Sequence, residues 1–158
     1  MILVTGGAGF IGSNFIIDWL NGGGEALVNL DKLTYAGRRE NLRDLDGSAR
    51  HRFVHGDIAD RELIEPLIAD GRFDAVINFA AESHVDRSIL SPLDAVWDNV
   101  FGTAHILEHA RRGCERFVYF STDEVFGPAP VGTAYKEWDR YRSTNPYSAT
   151  KAGGEELT

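Results

Sequence analysis

The stretch that most restricts what this chain can fold into is Thr5-Gly6-Gly7-Ala8-Gly9-Phe10-Ile11-Gly12. Before it runs Ile2-Leu3-Val4, a short apolar segment of the kind that forms a buried parallel strand. After it, Phe10, Ile11, Phe15, Ile16, Trp19 and Leu20 recur at three- and four-residue spacing until Asn21-Gly22-Gly23-Gly24 stops the pattern, which predicts a helix. Glycines at 6, 9 and 12 suit a tight turn, close approach of a pyrophosphate to backbone N–H groups, and close packing of helix on sheet. A flexible connection is the competing explanation. The position between strand and helix favours dinucleotide binding through Gly6, Gly9, Phe10, Ile11 and Gly12.

The same alternation continues along the chain. Ala26 to Leu30 reads as a second buried strand, Asp31 to Arg50 as an Arg-rich loop with a short helix, and Phe53-Val54-His55 as a third strand. Arg61 to Ala69 has helical spacing that Pro66 disfavours, and Ala75 to Phe79 is a fourth strand. Pro92 to Arg112 reads as one long helix with Ser91 as its cap, followed by a fifth strand at Phe117 to Phe120. Thr122 to Arg142, with two prolines and no periodicity, is expected to be loop, and a last helix begins at Asn145 or Pro146. Strands and helices at this pitch imply right-handed βαβ units, hence a doubly wound α/β domain of the Rossmann type with a parallel sheet. Ligands in such sheets bind beyond the carboxyl ends of the strands.

Composition narrows the function. A chain of 158 residues that is 43% hydrophobic has the material for one core. Its 16 basic against 24 acidic residues give a net charge of −8, which argues against general nucleic-acid binding but leaves room for a small anionic ligand held by backbone dipoles. Cys114 is alone, so neither a disulfide framework nor a cysteine metal site is expected. His105 and His109 lie one turn apart without a third ligand, and are read as helix surface or interface, with no metal. There is no apolar run of about 18 residues and no charged leader before the first strand, which points to a cytoplasmic protein without membrane contact.

Chemistry-bearing residues fall at the expected strand ends. Asp31 closes the second strand, where a carboxylate accepts hydrogen bonds from both ribose hydroxyls and repels a 2′-phosphate, favouring NAD; Arg38 and Arg39 further along argue for NADP. Gly56-Asp57-Ile58 follows the third strand and is placed to flank the adenine, though an ordinary turn explains it as well. Ala80-Ala81-Glu82-Ser83-His84 follows the fourth. Its small residues Ala80, Ala81 and Ser83 let the backbone approach a cofactor, and His84 is a candidate substrate contact. Tyr147 and Lys151 share a helix face, which puts an ammonium where it lowers the pKa of a phenol. Thr122-Asp123-Glu124 brings a hydroxyl and two carboxylates to the same cleft, the equipment for removing a proton at one carbon and protonating a departing hydroxyl at the next.

Together, Thr5 to Gly12, Leu30 to Gly37, Ala80 to Ile89, Ser121 to Gly127 and Pro146 to Lys151 resemble the dTDP-glucose 4,6-dehydratases, members of the extended short-chain dehydrogenase/reductase superfamily. The resemblance runs the length of the chain. It implies bound NAD, further cofactor contacts from Lys32, Leu33 and Thr34, a nucleotide-sugar substrate and a homodimer paired through the long helix and the Tyr147 helix. It also implies an internal hydride cycle. Tyr147 would take the 4-hydroxyl proton with Lys151 and Thr122 assisting, Glu124 would remove the C5 proton, and Asp123 would protonate the departing 6-hydroxyl. Asp98 departs from the family, which more often has a small hydroxyl residue there, and Gly153-Gly154 is a weak helix sequence unless packing requires it. On this reading residues 1–158 form the cofactor domain and end before its last strand, the substrate-nucleotide domain being absent. The 158 residues alone would then be marginally stable, hold NAD weakly and lack activity. A nucleotide-sugar 4-epimerase or decarboxylase, or a non-catalytic dinucleotide sensor, are the alternatives.

Overall fold

The structure is a computed structural model that describes residues 1–158. Five strands, β1 (Ile2–Thr5), β2 (Leu27–Asp31), β3 (His51–His55), β4 (Ala75–Asn78) and β5 (Arg116–Tyr119), form one parallel sheet in the order β3-β2-β1-β4-β5. Thr5 stands opposite both Leu30 and Asn78, so three strands end level, and the loops that follow them leave from one edge. Side chains alternate across the sheet. Leu3, Val28, Leu30 and Val76 pack on one face with Ile64 and Ile68 of α2 (Arg61–Gly71), while Ile2, Val4 and Leu27 pack on the other with Ile16 and Leu20 of α1 (Phe10–Asn21). The doubly wound α/β expectation is met.

Helix α1 departs from its sequence pattern in one useful respect. Ile16 and Leu20 are buried, but Phe10 and Ile11 are 81% and 62% exposed, because the first turn faces the loops rather than the sheet. Helix α2 contains Pro66 and extends to Gly71; Asp60 caps it by accepting from the N–H groups of Glu62 and Leu63. The helix read over Arg61 to Ala69 forms with Pro66 inside it and runs two residues further, because burial of Ile64 and Ile68 outweighs the lost backbone bond.

The region after β4 is corrected more substantially. A short helix α3 (Val85–Leu90) precedes Ser91, whose side chain makes no capping bond. The predicted long helix is α4 (Pro92–Val96), a π-helical turn (Trp97–Gly102) and α5 (Thr103–Ala110). The physical reason lies at Asn99. This buried residue bonds the backbone N–H and carbonyl of Glu82 and the hydroxyl of Thr150, and the π turn aims its side chain inward. Ile106 is buried in the core; the exposed apolar side chains of this region are Leu93, Val96, Trp97 and Phe101. The predicted loop after β5 begins with a 3₁₀ turn, Asp123–Phe126. The last helix, α6 (Pro146–Glu156), starts where the sequence indicated, with Asn145 and Ser148 forming a reciprocal capping box.

Candidate active site

At the carboxyl edge of the sheet the loops enclose a cleft of about 420 Å³. Gly6, Gly9, Phe10, Ile11 and Gly12 form its middle wall, Asp31, Lys32, Thr34, Asp57 and Ile58 one end, and Ala80, Ala81, Ser83, Tyr147 and Lys151 the other. The cleft also uses residues that motif reading did not select, among them Ala36, Gly37, Phe79, Phe120 and Ser121. Their position just past strand ends was the available signal.

The glycine loop is shaped for close backbone approach. Gly6 has φ +68°, and a Cβ there would sit 2.6 Å from the backbone nitrogen of Ala80. A Cβ on Gly12 would lie 2.4 Å from the Gly6 carbonyl oxygen, so the first helical turn packs directly on the loop. Asp31 anchors the same loop, accepting from the Ala8 N–H at 2.9 Å and the Leu33 N–H at 2.7 Å. Leu33 is in the left-handed region with φ 53° and serves as a turn residue outside the cleft lining.

At the end beside β2 and β3, the Lys32 ammonium lies 2.6 Å from Asp98 and 3.3 Å from Asp57. Burial acts against the Lys32 charge, but the two carboxylates outweigh it and hold its pKa above the ordinary value. Burial pushes Asp98 above the usual carboxylate range despite Lys32. Arg38 and Arg39, the sequence argument for NADP, do not line the cleft; the Arg39 guanidinium lies over the Phe53 ring. His105, expected at the surface, is within hydrogen-bond distance of the Ile58 carbonyl through Nδ1 at 2.7 Å and so braces that wall. The Nδ1–H tautomer follows, since a carbonyl only accepts.

Between the ends, Glu82 ties two loops together. It accepts from the Tyr35 hydroxyl at 2.6 Å, the His84 N–H at 3.1 Å and Arg87 at 3.2 Å. Burial raises its pKa, but these donors prevail and the carboxyl lies below its ordinary value. The His84 side chain is exposed and outside the cleft lining.

The far end holds Tyr147 and Lys151, while Thr122, Asp123 and Glu124, expected in the same cleft, lie outside its lining because the 3₁₀ turn carries them beyond the strand end. Ser88 accepts from the Tyr147 N–H at 3.0 Å and fixes the start of α6. Burial raises the Tyr147 phenol above its ordinary pKa; the Thr122 hydroxyl offsets part of this, and the charges of Glu124 and Asp123 add to it. Thr122 is thus close enough to bond the phenol, and the two carboxylates are near enough to act on it through their charge. Thr122 caps the 3₁₀ turn by accepting from the Glu124 N–H at 3.3 Å, and Glu124 Oε2 accepts from Asn145 at 3.0 Å. Asp123 and Glu124 line a separate cleft formed with Phe126 to Ala129 and Thr133 to Tyr135.

Lys151 is 4% exposed, donates to the Phe120 carbonyl at 2.5 Å and lies 4.0 Å from the centre of the Tyr119 ring. Burial lowers its pKa to about 8, with Glu155 opposing. The expected lowering of the Tyr147 pKa by Lys151 is not found, because the ammonium serves the carbonyl and the ring instead.

Comparison with known proteins gives the family and the fold. A protein-family model described as GDP-mannose 4,6 dehydratase matches residues 3–158. The low-salt glycan biosynthesis protein Agl12 of Haloferax volcanii is 51% identical over 157 residues, covering 99% of this chain and 50% of that protein. The crystal structure of DesIV, a dTDP-glucose 4,6-dehydratase of Streptomyces venezuelae with NAD and TYD bound, superposes with TM-score 0.92 at 44% identity, covering 99% of this chain and 49% of that one. The UDP-glucose 4-epimerase of Thermus thermophilus, solved with NAD, gives TM-score 0.88 at 35% identity over 98% of this chain and 48% of the other. The chain thus spans about half the length of the proteins it matches. By its strand order, its glycine-loop cleft and a family match over nearly every residue, the chain belongs to the GDP-mannose 4,6 dehydratase family.

Proposed function

We propose that the chain holds NAD across its sheet and carries the reacting residues of a nucleotide-sugar 4,6-dehydratase acting on dTDP-glucose. The observation that carries this reading is Tyr147 with Lys151 at one end of the glycine-loop cleft, with the Thr122 hydroxyl and the charges of Asp123 and Glu124 acting on the phenol from just beyond the cleft lining. The cleft fits a dinucleotide: a Cβ at Gly6 or Gly12 would strike the backbone of Ala80 or of Gly6, so only glycine lets this loop lie so close on the strand ends with its backbone turned to a pyrophosphate, and small residues at 80 and 81 leave backbone open to the ligand. Gly6, Gly9 and Gly12 would hold the pyrophosphate, Asp31, Lys32, Asp57 and Ile58 the adenosine, and Ala80, Ala81, Ser83, Tyr147 and Lys151 the nicotinamide end. Bound NAD supplies a hydride acceptor that can return the hydride to the same sugar.

This chain's residues then move protons. Tyr147 takes the proton of the sugar 4-hydroxyl, with Thr122 bonded to the same oxygen. Lys151, one helical turn along α6 from Tyr147, brings a buried cation to the same end of the cleft. The 4-ketone acidifies C5, Glu124 removes that proton, and Asp123 protonates the 6-hydroxyl as it leaves. Asn145 aims Glu124 through its 3.0 Å bond. A 4-epimerase would share the cleft, Tyr147 and Lys151, but has no use for an acid and a base side by side at 123 and 124. The substrate nucleotide is assigned to a further domain like the half of the relatives that lies outside the match. We assign the reaction to the cytoplasm; no helix of the structure is long and apolar enough to cross a membrane.

The division of labour is tested in the complete protein by mixing with substrate and following reduced-cofactor absorbance. Glu124→Gln accumulates reduced cofactor because the C5 proton is retained, whereas Tyr147→Phe forms none. Identical behaviour of the two variants would contradict the assignment.

A further inference from the structure

We propose that Asp98 is a specificity-determining residue of the dinucleotide cleft: by fixing Lys32 beside Asp57, it leaves the adenosine end net negative and selects a ribose 2′-hydroxyl over a 2′-phosphate. The inference rests on the reading of the cleft as a dinucleotide site.

The strand order sets which end is which. The glycine loop leaves β1 at the centre of the sheet, and Tyr147 and Lys151 lie on the side of β4 and β5, so the adenosine falls over β2 and β3. That is where Asp31, Lys32 and Asp57 emerge, and where the π turn delivers Asp98 from a different element while Asn99 points inward. Lys32 is the cation lining this end. Its ammonium is claimed at 2.6 Å by Asp98 and at 3.3 Å by Asp57. Asp57 already accepts from the Ala59 N–H, so Asp98 makes the shorter and less shared contact. Neither Arg38 nor Arg39 reaches the cleft to compensate.

Three carboxylates, Asp31, Asp57 and Asp98, therefore line an end that holds one ammonium, which Asp57 and Asp98 share. A hydroxyl meets acceptors there and is welcome. A phosphate dianion meets net like charge, with the one cation it could recruit already bound. Removing Asp98 does two things that act together: it takes away a negative charge, and it frees Lys32 to swing toward a 2′-phosphate.

The test is calorimetric titration of NAD and NADP into the complete protein and into its Asp98→Asn, Asp98→Thr, Lys32→Met and Asp98→Asn/Lys32→Met variants. Both Asp98 variants are expected to raise NADP affinity relative to NAD by about tenfold. The gain is expected to shrink with added salt and to be lost in the double variant, because it acts through Lys32. An unchanged NADP-to-NAD ratio in folded Asp98 variants, or a gain that persists without Lys32, would overturn the proposal. A parent chain that binds neither nucleotide would instead overturn the reading of the cleft itself.

Discussion

At Lys151 the fold places an ammonium among the Phe120 carbonyl, the Tyr119 ring and the body of α6, almost out of reach of water. Burial lowers its pKa from 10.5 to about 8. The unfolded chain therefore binds more protons than the folded one between these values, and stability contributed at this site rises as pH rises through that window. Below pH 8 the full cost of the buried charge is present. Lys151→Met should remove this dependence: denaturant titrations at about pH 7.5 and about pH 9.5 should show the parent gaining up to about 2 kcal/mol relative to the variant, and an equal change in the two would contradict the burial argument. The pairing of Tyr147 and Lys151 on one helix face was legible from their spacing. Where the ammonium points was not, since it depends on a backbone carbonyl at the end of β5 that no local pattern identifies. Asp98 shows the same limit: its partner Lys32 is 66 positions away in sequence.

Among the elements, α6 and the π turn explain most of the difference between expectation and structure. Gly153 and Gly154 look equally unfavourable for a helix. They are not equivalent: a Cβ at 154 would lie 2.4 Å from the Tyr119 hydroxyl and 2.9 Å from the Asn99 carbonyl, whereas one at 153 meets only Val100, at 3.4 Å. Gly153→Ala should therefore stabilise the protein by up to about 1 kcal/mol through helix propensity, and Gly154→Ala should destabilise it by about 1–3 kcal/mol through overpacking. Thermal melts of the two variants check the opposite signs, and a stabilised Gly154→Ala would show that α6 does not pack as closely as described. Strand positions and the Asn145 start of α6 could be read locally, because alternation and caps are local signals. The π turn could not, because it results from Asn99 bonding a loop and a helix that the sequence holds 17 and 51 residues away.

For the molecule as a whole, level strand ends and a parallel sheet gather loops from β1 to β5 into one cleft, which is why motifs scattered from residue 6 to residue 151 share it. The exposed apolar side chains Leu93, Val96, Trp97 and Phe101 lie together on α4 and the π turn, and the homodimer proposed for the complete protein would cover them. Light scattering at micromolar concentration should return twice the monomer mass, and Trp97→Glu should return one; a monomeric parent would remove that assignment. The central claim concerns the path of one hydride. It is tested most directly by giving the complete protein dTDP-glucose deuterated at C4 and locating the label in the product. The account predicts a 4-keto-6-deoxy sugar with the deuterium at C6, carried there within one turnover through NAD. A product with deuterium still at C4, as an epimerase would leave it, or with the label lost to solvent, would contradict it.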